Sequence, residues 1–177
     1  MPFLSLAQSR YSCRSFLEKP VEEEKLETVL EAGRIAPTAT NSQPVRVTVL
    51  KTPEALEKIR SLTRMAYNAP VVLMVTYDVN QSYKAVKYED AHDCGAEDAS
   101  IVTTHMMLEA TDLGLSTLWA RGFNAETIER AFEFPETRKL VCLLDVGYAD
   151  PVHGGPSPRH SVRKPMSEFA SPWNGTL

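Results

Sequence analysis

The chain has 177 residues, 43% of them hydrophobic, and a formal net charge of −4 at pH 7. This length and apolar content fit one domain with a real core, and the acidic balance argues against a nucleic-acid binder, which usually presents a basic face. No run of about 18 apolar residues occurs, so we expect no membrane-spanning helix.

The N-terminus and the cysteines favour a reducing compartment. Residues 1–8 lack the basic flank and the cleavable apolar stretch of a secretory signal. Cys13, Cys94 and Cys142 are odd in number and far apart, so they predict neither a disulfide framework nor a Cys-x-x-Cys metal pair. We therefore expect a cytoplasmic protein.

The first elements are a helix and a strand. From about residue 22, apolar residues recur at helical spacing behind three glutamates, whose charges suit the positive end of a helix. Pro37 stops this helix. Residues 45–50 alternate in polarity and are rich in Val, which predicts a strand.

The middle of the chain predicts two helices around a buried strand. A capping Thr followed by Pro and Glu predicts a helix over residues 52–62. The apolar run 70–77 is typical of a strand buried on both faces. After a polar excursion at 78–87, apolar positions at helical spacing predict one long helix over 88–113, which Gly114 caps.

The remaining elements complete a layered domain. Residues 115–120 predict a strand, Asn124 caps a short helix that ends near Phe132, and 140–146 predict another strand buried on both faces. Five of the twelve prolines follow Asp150, so we expect an extended tail without regular helix that lies over the surface or over a partner subunit. Helices alternating with strands around a long central helix predict a single α+β or α/β domain spanning 1–177.

Two arginines around a hydroxyl form the first candidate site. If the segment is extended, Arg10, Ser12 and Arg14 point to one side of the backbone, and together they suit a phosphate, which wants planar bidentate donors and hydroxyls. The simpler interpretation is two solvated surface arginines. A local cationic cluster in a mildly acidic chain needs a reason, which a phosphate would supply, but these residues alone favour the solvated arginines.

Small polar side chains between the first helix and the first strand form the second candidate. Asn41 and Gln43 carry amides that both donate and accept, which suits the polar edge of a ring, although an ordinary loop has the same composition. Arg121 and Gly122 follow a predicted strand and allow close backbone approach, or form a simple turn. Arg163 alone indicates no more than a solvated basic residue.

Several well-known sites are disfavoured. The Glu-x-x-His pattern formed by Glu89 and His92 resembles half of a di-iron bundle site, but no second copy exists, so we predict no metal. The chain lacks a Gly-x-Ser-x-Gly elbow, a Walker loop and a Gly-x-Gly-x-x-Gly turn. Hydrolase, nucleotide phosphatase and dinucleotide-fold interpretations therefore lose their main support.

Taken in order, these motifs resemble the nitroreductase family of flavoproteins. The likeness runs from about residue 3 to 170. It is carried by Arg10-Tyr11-Ser12-x-Arg14-x-Phe16, Ala36-Pro37-Thr38-x-x-Asn41-x-Gln43-Pro44, Ala69-Pro70, Leu113-Gly114-Leu115 and Arg163-x-Pro165.

The resemblance implies an α+β homodimer with two FMN molecules at the subunit interface. It also implies ping-pong hydride transfer from NAD(P)H, the co-substrate, to a small-molecule electron acceptor such as a nitroaromatic or a quinone, with the flavin rather than a catalytic side chain carrying the chemistry. The implied cofactor-binding residues are Arg10, Tyr11, Ser12, Arg14, Pro37, Thr38, Ala39, Asn41, Gln43, Arg121, Gly122 and Arg163. Among them, Pro37, Thr38 and Ala39 match the loop that one subunit lends to its partner's flavin.

Other hypotheses remain open from the sequence. One is a flavin-binding or redox-sensing module without turnover, and another is a related flavin chemistry such as reductive dehalogenation or flavin breakdown. An unrelated protein with a coincidental set of motifs is a third.

Overall fold

The computed structural model describes residues 2–87 and 91–173. Within those ranges the helices are α1 (Phe3–Ser9), α2 (Glu23–Arg34), α3 (Pro53–Leu62), α4 (Gly95–Asp112), α5 (Ala125–Ala131) and α6 (Met166–Phe169). The strands are β1 (Val45–Leu50), β2 (Val71–Asp78), β3 (Ser116–Ala120) and β4 (Arg138–Gly147). They form an antiparallel sheet in the order β1-β2-β4-β3, which confirms the predicted α+β class. None of the described helices has the length and apolar composition that crossing a membrane requires.

The sheet lies between two helical layers. The core on one face includes Ile59 of α3 and Ile128 of α5, and the core on the other includes Val29 of α2 and Met106 of α4. All four side chains are fully buried. The central strands β2 and β4 are therefore buried on both faces, as their apolar runs predict.

Capping residues mark the starts and the ends of helices where the sequence predicts them. Thr52 and Asn124 each accept a hydrogen bond from the backbone N–H three residues later, at 3.3 and 3.1 Å. Gly114 follows α4 with a φ of +76°, a left-handed conformation that costs a residue with a Cβ. The Leu115 N–H donates to the Ala110 carbonyl at 2.8 Å, which closes a Schellman turn.

The predicted start of the long helix is wrong. Helix α4 begins at Gly95; residues 88–90 lie outside the described chain, and residues 91–94 are irregular. The physical reason lies in Asp93, which forms a strand-like bridge with Lys84 and whose carboxylate accepts the Gly95 N–H at 2.9 Å. These local bonds compete with helix formation and delay it to Gly95.

The tail contains one turn of helix that the sequence did not predict. Residues 166–169 form α6 directly after Pro165, where a proline is tolerated because the first N–H groups of a helix have no helical partner. Every side chain from 161 to 173 is exposed, including Phe169 at 82% and Trp173 at 72%. The apolar residues of the tail therefore have no cover within the described part of this chain.

Asp145 on β4 is a carboxylic acid inside the core. Its side chain is 0% exposed, and neither carboxyl oxygen has a hydrogen-bond partner among the described residues. Burial raises the pKa of Asp145 to about 8, an effect that the positive charge of Arg60 partly offsets. The folded protein therefore keeps a proton on this carboxyl at neutral pH.

We predict that Asp145 makes the protein less stable as pH rises from about 4 to 8. In that range the unfolded chain releases the proton and the folded chain retains it, so the free energy of unfolding falls by about 1.4 kcal/mol per pH unit. Asp145→Asn removes this term. Urea unfolding of both proteins at pH 5, 6, 7 and 8 measures the difference between their slopes. Parallel pH profiles would contradict a protonated Asp145.

Candidate functional site

The first candidate motif lies along the free edge of β3. Ser12 forms a parallel bridge with Thr117, which attaches residues 10–14 to the side of β3 that faces away from β4. Arg10 is half-buried, whereas Arg14 is exposed and donates to the Ser12 carbonyl at 3.2 Å. The segment thus presents two guanidiniums and a hydroxyl at one edge of the sheet.

The C-terminal tail returns to the same edge. His160 Nε2 lies 3.0 Å from the Gln8 carbonyl oxygen, and the His160 and Tyr11 rings meet edge to face with centroids 6.2 Å apart. Arg163 donates to the His160 carbonyl at 2.6 Å. These contacts bring a third guanidinium to the N-terminal motif, although 149 residues separate Arg14 from Arg163 along the chain.

These arginines have no internal counter-charge. Within residues 2–87 and 91–173, no ion pair joins Arg10, Arg14 or Arg163 to a carboxylate. In a chain of net charge −4 many carboxylates are available, so the unpaired arginines leave a local excess of positive charge. Planar guanidiniums bind phosphate oxygens in pairs, so the donor set fits a phosphate group.

Arg121 and Gly122 extend the same edge beyond the end of β3. Both residues are exposed, and the Arg121 guanidinium lies 5.0 Å from the centroid of the Phe123 ring. Because Ser12 is bridged to β3, Arg121 and Gly122 follow the strand beside which the N-terminal motif lies. The structure therefore groups seven of the predicted residues at the β3 edge: Arg10, Tyr11, Ser12, Arg14, Arg121, Gly122 and Arg163.

The second motif is a tight loop before β1. Ala39–Asn41 form one turn of 3-10 helix, and the Gln43 N–H donates to Thr38 Oγ1 at 3.0 Å. Thr40, Asn41 and Gln43 have φ of 53°, 57° and 51°, in the left-handed region that residues other than glycine rarely adopt. Such strain persists only where surrounding contacts hold it, and it is common in ligand-binding loops.

A buried carboxylate supplies one of those contacts. Asp98 on α4 is 2% exposed, and its Oδ1 accepts a hydrogen bond from the Ala39 N–H at 2.8 Å. The sequence interpretation missed this residue. The feature that could have identified Asp98 in the sequence is its position. It lies four and eight residues before the buried Val102 and Met106 and therefore shares their helix face. An acid on a buried helix face needs a specific partner.

Within one chain the two motifs lie on opposite edges of the sheet. Ser12 lies outside β3, whereas the 38–43 loop leads into β1, at the other end of the strand order. Four strand spacings of about 4.8 Å give a separation of about 19 Å across the sheet. The covered faces of β2 and β4 lie between them, so no ligand can pass directly from one motif to the other.

The motifs are also at opposite ends of the strands. Across the sheet, Ser12 pairs with Thr117 of β3, Thr117 with Val146 of β4, and Val146 with Val71 of β2, and these residues form one row. Val45 of β1 pairs with Tyr77 of β2 and belongs to another row. Six residues of β2 separate these rows, which corresponds to about 20 Å. Ser12 and the 38–43 loop therefore occupy diagonally opposite corners. Arg121 and Gly122 follow Ala120, whose row reaches Met74 on β2, so they share the loop's end of the strands but lie on the opposite edge of the sheet.

Comparison with known proteins identifies the family. The sequence profile of the Nitroreductase family matches residues 7–66 and 60–148, and the chain belongs to this family. A nitroreductase family protein from Clostridium difficile 630 is 37% identical, with a TM-score of 0.90 and full coverage of both chains.

Two further relatives carry more specific names. A Desulfovibrio desulfuricans protein, provisionally named a nitroreductase and crystallised in complex with FMN, is 26% identical, with a TM-score of 0.80 over 98% of each chain. A protein of Methanothermobacter thermautotrophicus, provisionally named an NADH dehydrogenase/NAD(P)H nitroreductase, is 28% identical over 84% of this chain and 78% of its own.

We predict that Asp98 holds the 38–43 loop in its strained form. Asp98→Ala removes the acceptor of the Ala39 N–H and should cost about 1–3 kcal/mol. Since 1.4 kcal/mol corresponds to tenfold, amide hydrogen exchange at Ala39 should accelerate about tenfold or more. Asp98→Asn keeps an oxygen acceptor and should retain part of the protection, and Thr104→Ala on the exposed face of α4 is the control. Unchanged exchange in Asp98→Ala would remove this role.

Proposed function

We propose that this chain binds FMN and acts as an FMN-dependent oxidoreductase. The observation that carries the proposal is the group of three arginines at the β3 edge, which has no carboxylate partner in the described chain although the protein is acidic. Membership of the nitroreductase family and the FMN complex of the Desulfovibrio relative support it.

The phosphate would be held by Arg10, Arg14 and Arg163. Each guanidinium offers a planar pair of N–H donors, and a phosphate dianion would neutralise charge that nothing else in the described chain neutralises. Ser12 adds a hydroxyl, and Tyr11, which contacts the tail through His160, lines the same edge. The chemistry of this donor set therefore fits the phosphate end of FMN.

The ring end would lie against the backbone that follows β3. Arg121 and Gly122 are exposed there, and a glycine, which has no Cβ, would allow a ring to approach the backbone closely. When bound, FMN supplies the two-electron redox chemistry, and the protein supplies orientation and electrostatics. No side chain of this chain is assigned as a catalytic acid or base.

The remaining site residues would come from a second copy of the chain. Pro37, Thr38, Ala39, Asn41 and Gln43 lie at the opposite edge of the sheet from the arginines, which supports a partner subunit as the source of these residues for the same flavin. The homodimer we propose has two such composite sites. The lent loop would exclude water from the ring and offer the amides of Asn41 and Gln43 to its polar edge.

Two uncovered apolar surfaces support the dimer. A cleft of about 450 Å³ lies between α2 and β1 and is lined in part by Leu30, Val45 and Val47. The tail exposes Phe169 and Trp173. Because exposed apolar patches of this kind mark contact surfaces, we infer that both become buried when two chains associate.

The reaction we propose oxidises NAD(P)H and reduces a small acceptor of the nitroaromatic or quinone class. The provisional name of the Methanothermobacter relative supports the nicotinamide donor. The two substrates would occupy one position in turn, which gives ping-pong kinetics.

We predict that Arg10→Ala weakens FMN retention about tenfold or more, because a charge-assisted hydrogen bond to the phosphate is lost. Arg130→Ala on α5 is the matched control, since it removes the same charge far from the β3 edge. Fluorescence titration of the flavin-free proteins with FMN measures both affinities. Equal affinities of Arg10→Ala and wild type would exclude the phosphate role.

Catalytic turnover of NADH or NADPH distinguishes an enzyme from a flavin-binding module. The proposal expects anaerobic bleaching of the bound flavin by NADH or NADPH and steady oxidation of the donor when a quinone is added. Retained FMN without donor oxidation would instead favour a non-catalytic or redox-sensing protein.

We predict that two variants, each impaired in one half of the composite site, complement each other when FMN is limiting. In a mixed dimer of Arg10→Ala and Asn41→Ala chains, one composite site carries both substitutions and the other carries neither. Random association makes about half of the dimers mixed, so co-expression should restore up to about a quarter of the wild-type activity. Each variant expressed alone is the control. Activity no higher than the mean of the two single variants would contradict a site shared between two chains.

A further inference from the structure

Three side chains with different metal-binding atoms meet at the start of α4. The ligand atoms of His92, Cys94 and Glu97 all lie within 4.8 Å of one another, and His92 Nε2 is 3.0 Å from Glu97 Oε1. Cys94 is half-buried, and the other two are exposed. None of the three belongs to the flavin site proposed above.

We propose that His92, Cys94 and Glu97 bind a divalent metal ion of the Zn²⁺ class. Imidazole nitrogen, thiolate sulfur and carboxylate oxygen are the protein ligands that Zn²⁺ takes, and their mixture suits a borderline-soft cation rather than Mg²⁺ or Ca²⁺. Three protein ligands leave one tetrahedral position, which a water molecule can fill.

The backbone around the three ligands is held in place before any metal arrives. The Cys94 N–H donates to the Tyr83 carbonyl at 3.0 Å, and the Ala85 N–H donates to the His92 carbonyl at 3.0 Å. Asp93, between the two ligands, accepts from Ser82 Oγ at 2.6 Å. Residues 92 and 94 are therefore tied to the preceding loop, and the Cys94 carbonyl also accepts the Asp98 N–H at 2.9 Å at the start of α4.

Gly95 fixes the position of Cys94 relative to Glu97. A Cβ on residue 95 would lie 2.0 Å from the Tyr77 ring, a distance that no side chain can accept. Glycine therefore lets the first turn of α4 lie directly on Tyr77, with Cys94 immediately before the turn and Glu97 within it. The bend that disrupts the predicted helix is the bend that brings Glu97 back to His92.

Metal binding would displace one proton. A cysteine binds a metal ion as the thiolate, so the thiol of Cys94 must lose its proton. On binding, the S–H bond of Cys94 breaks, a sulfur–metal bond forms, and the proton passes to water or buffer. Metal affinity should therefore fall as pH falls.

The Glu-x-x-His pattern near this site involves a different pair of residues, and the sequence alone predicts no metal. The Glu-x-x-His spacing joins Glu89 to His92, but Glu89 lies outside the described residues, and His92 precedes α4 instead of lying on it. The relevant signal is His-x-Cys-x-x-Glu, followed by the apolar face of a helix. It becomes recognisable only once the helix is known to start at Gly95.

Titration of untagged, metal-free full-length protein with Zn²⁺ and with Co²⁺ tests the proposal. We expect one ion per chain and a thiolate-to-Co²⁺ charge-transfer band that Cys94→Ser abolishes. His92→Gln and Glu97→Gln should each weaken binding at least about tenfold. His105→Gln, an exposed histidine on the same helix, is the matched control. Binding at wild-type strength in all three ligand variants, or Co²⁺ binding without the thiolate band, would overturn the proposal.

A second measurement uses only the wild-type chain. Cys13 and Cys142 are 0% exposed, so iodoacetamide should modify Cys94 first. Zn²⁺ at a stoichiometric level should slow alkylation of Cys94 about tenfold or more, and peptide mass spectrometry identifies the modified residue. An unchanged Cys94 alkylation rate would overturn the site even if the substituted variants failed to fold.

Discussion

Strands β2 and β4 are covered on both faces, and this burial decides where polar chemistry can occur in the protein. Helices α2 and α4 occupy one face of the sheet and α3 and α5 the other, so the side chains of the central strands serve packing. The polar groups of the proposed sites are left with the sheet edges, the loops and the helix starts. The arginine group, the 38–43 loop and the proposed metal ligands at the start of α4 all lie in such places.

The same constraint makes a shared site necessary for the proposed activity. A continuous sheet separates the β3 edge from the start of β1, and side chains at opposite corners of a packed layer cannot converge without breaking it. Association of two copies removes the conflict, since the corner of one chain can meet the opposite corner of the other. In the proposed homodimer, the second chain is then part of the site rather than an addition to it.

Two buried carboxylates show how differently one core treats a polar group. Asp98 has a structural role, because its Oδ1 accepts a hydrogen bond from the Ala39 N–H and so links helix α4 to the strained 38–43 loop. Asp145 has no hydrogen-bond partner in the described chain and avoids the cost of a buried charge by staying protonated. The structural role of a buried carboxyl therefore depends on its hydrogen-bond partners as well as on its depth.

Most elements could be predicted because their causes are local. The limits of β1, the caps at Thr52 and Asn124 and the turn at Gly114 depend on a few neighbouring residues. The start of α4 could not, because Asp93 bonds to a loop that precedes it by about ten residues. The turn at Met166–Phe169 was missed because the prolines at positions 165 and 172 outweighed the short helical segment between them.

Sequence by itself determined the α+β class, the family likeness and the chemical character of both motifs, since side-chain types and the spacing of nearby residues can be read directly from it. Only the tertiary structure decided which residues share a site. It brought Arg163 back to the N-terminal motif through His160, set Asn41 at the far corner, gave Asp98 its partner, and turned His92 toward Glu97. Distances between remote residues depend on how layers pack and where chains bend, and no local pattern encodes them.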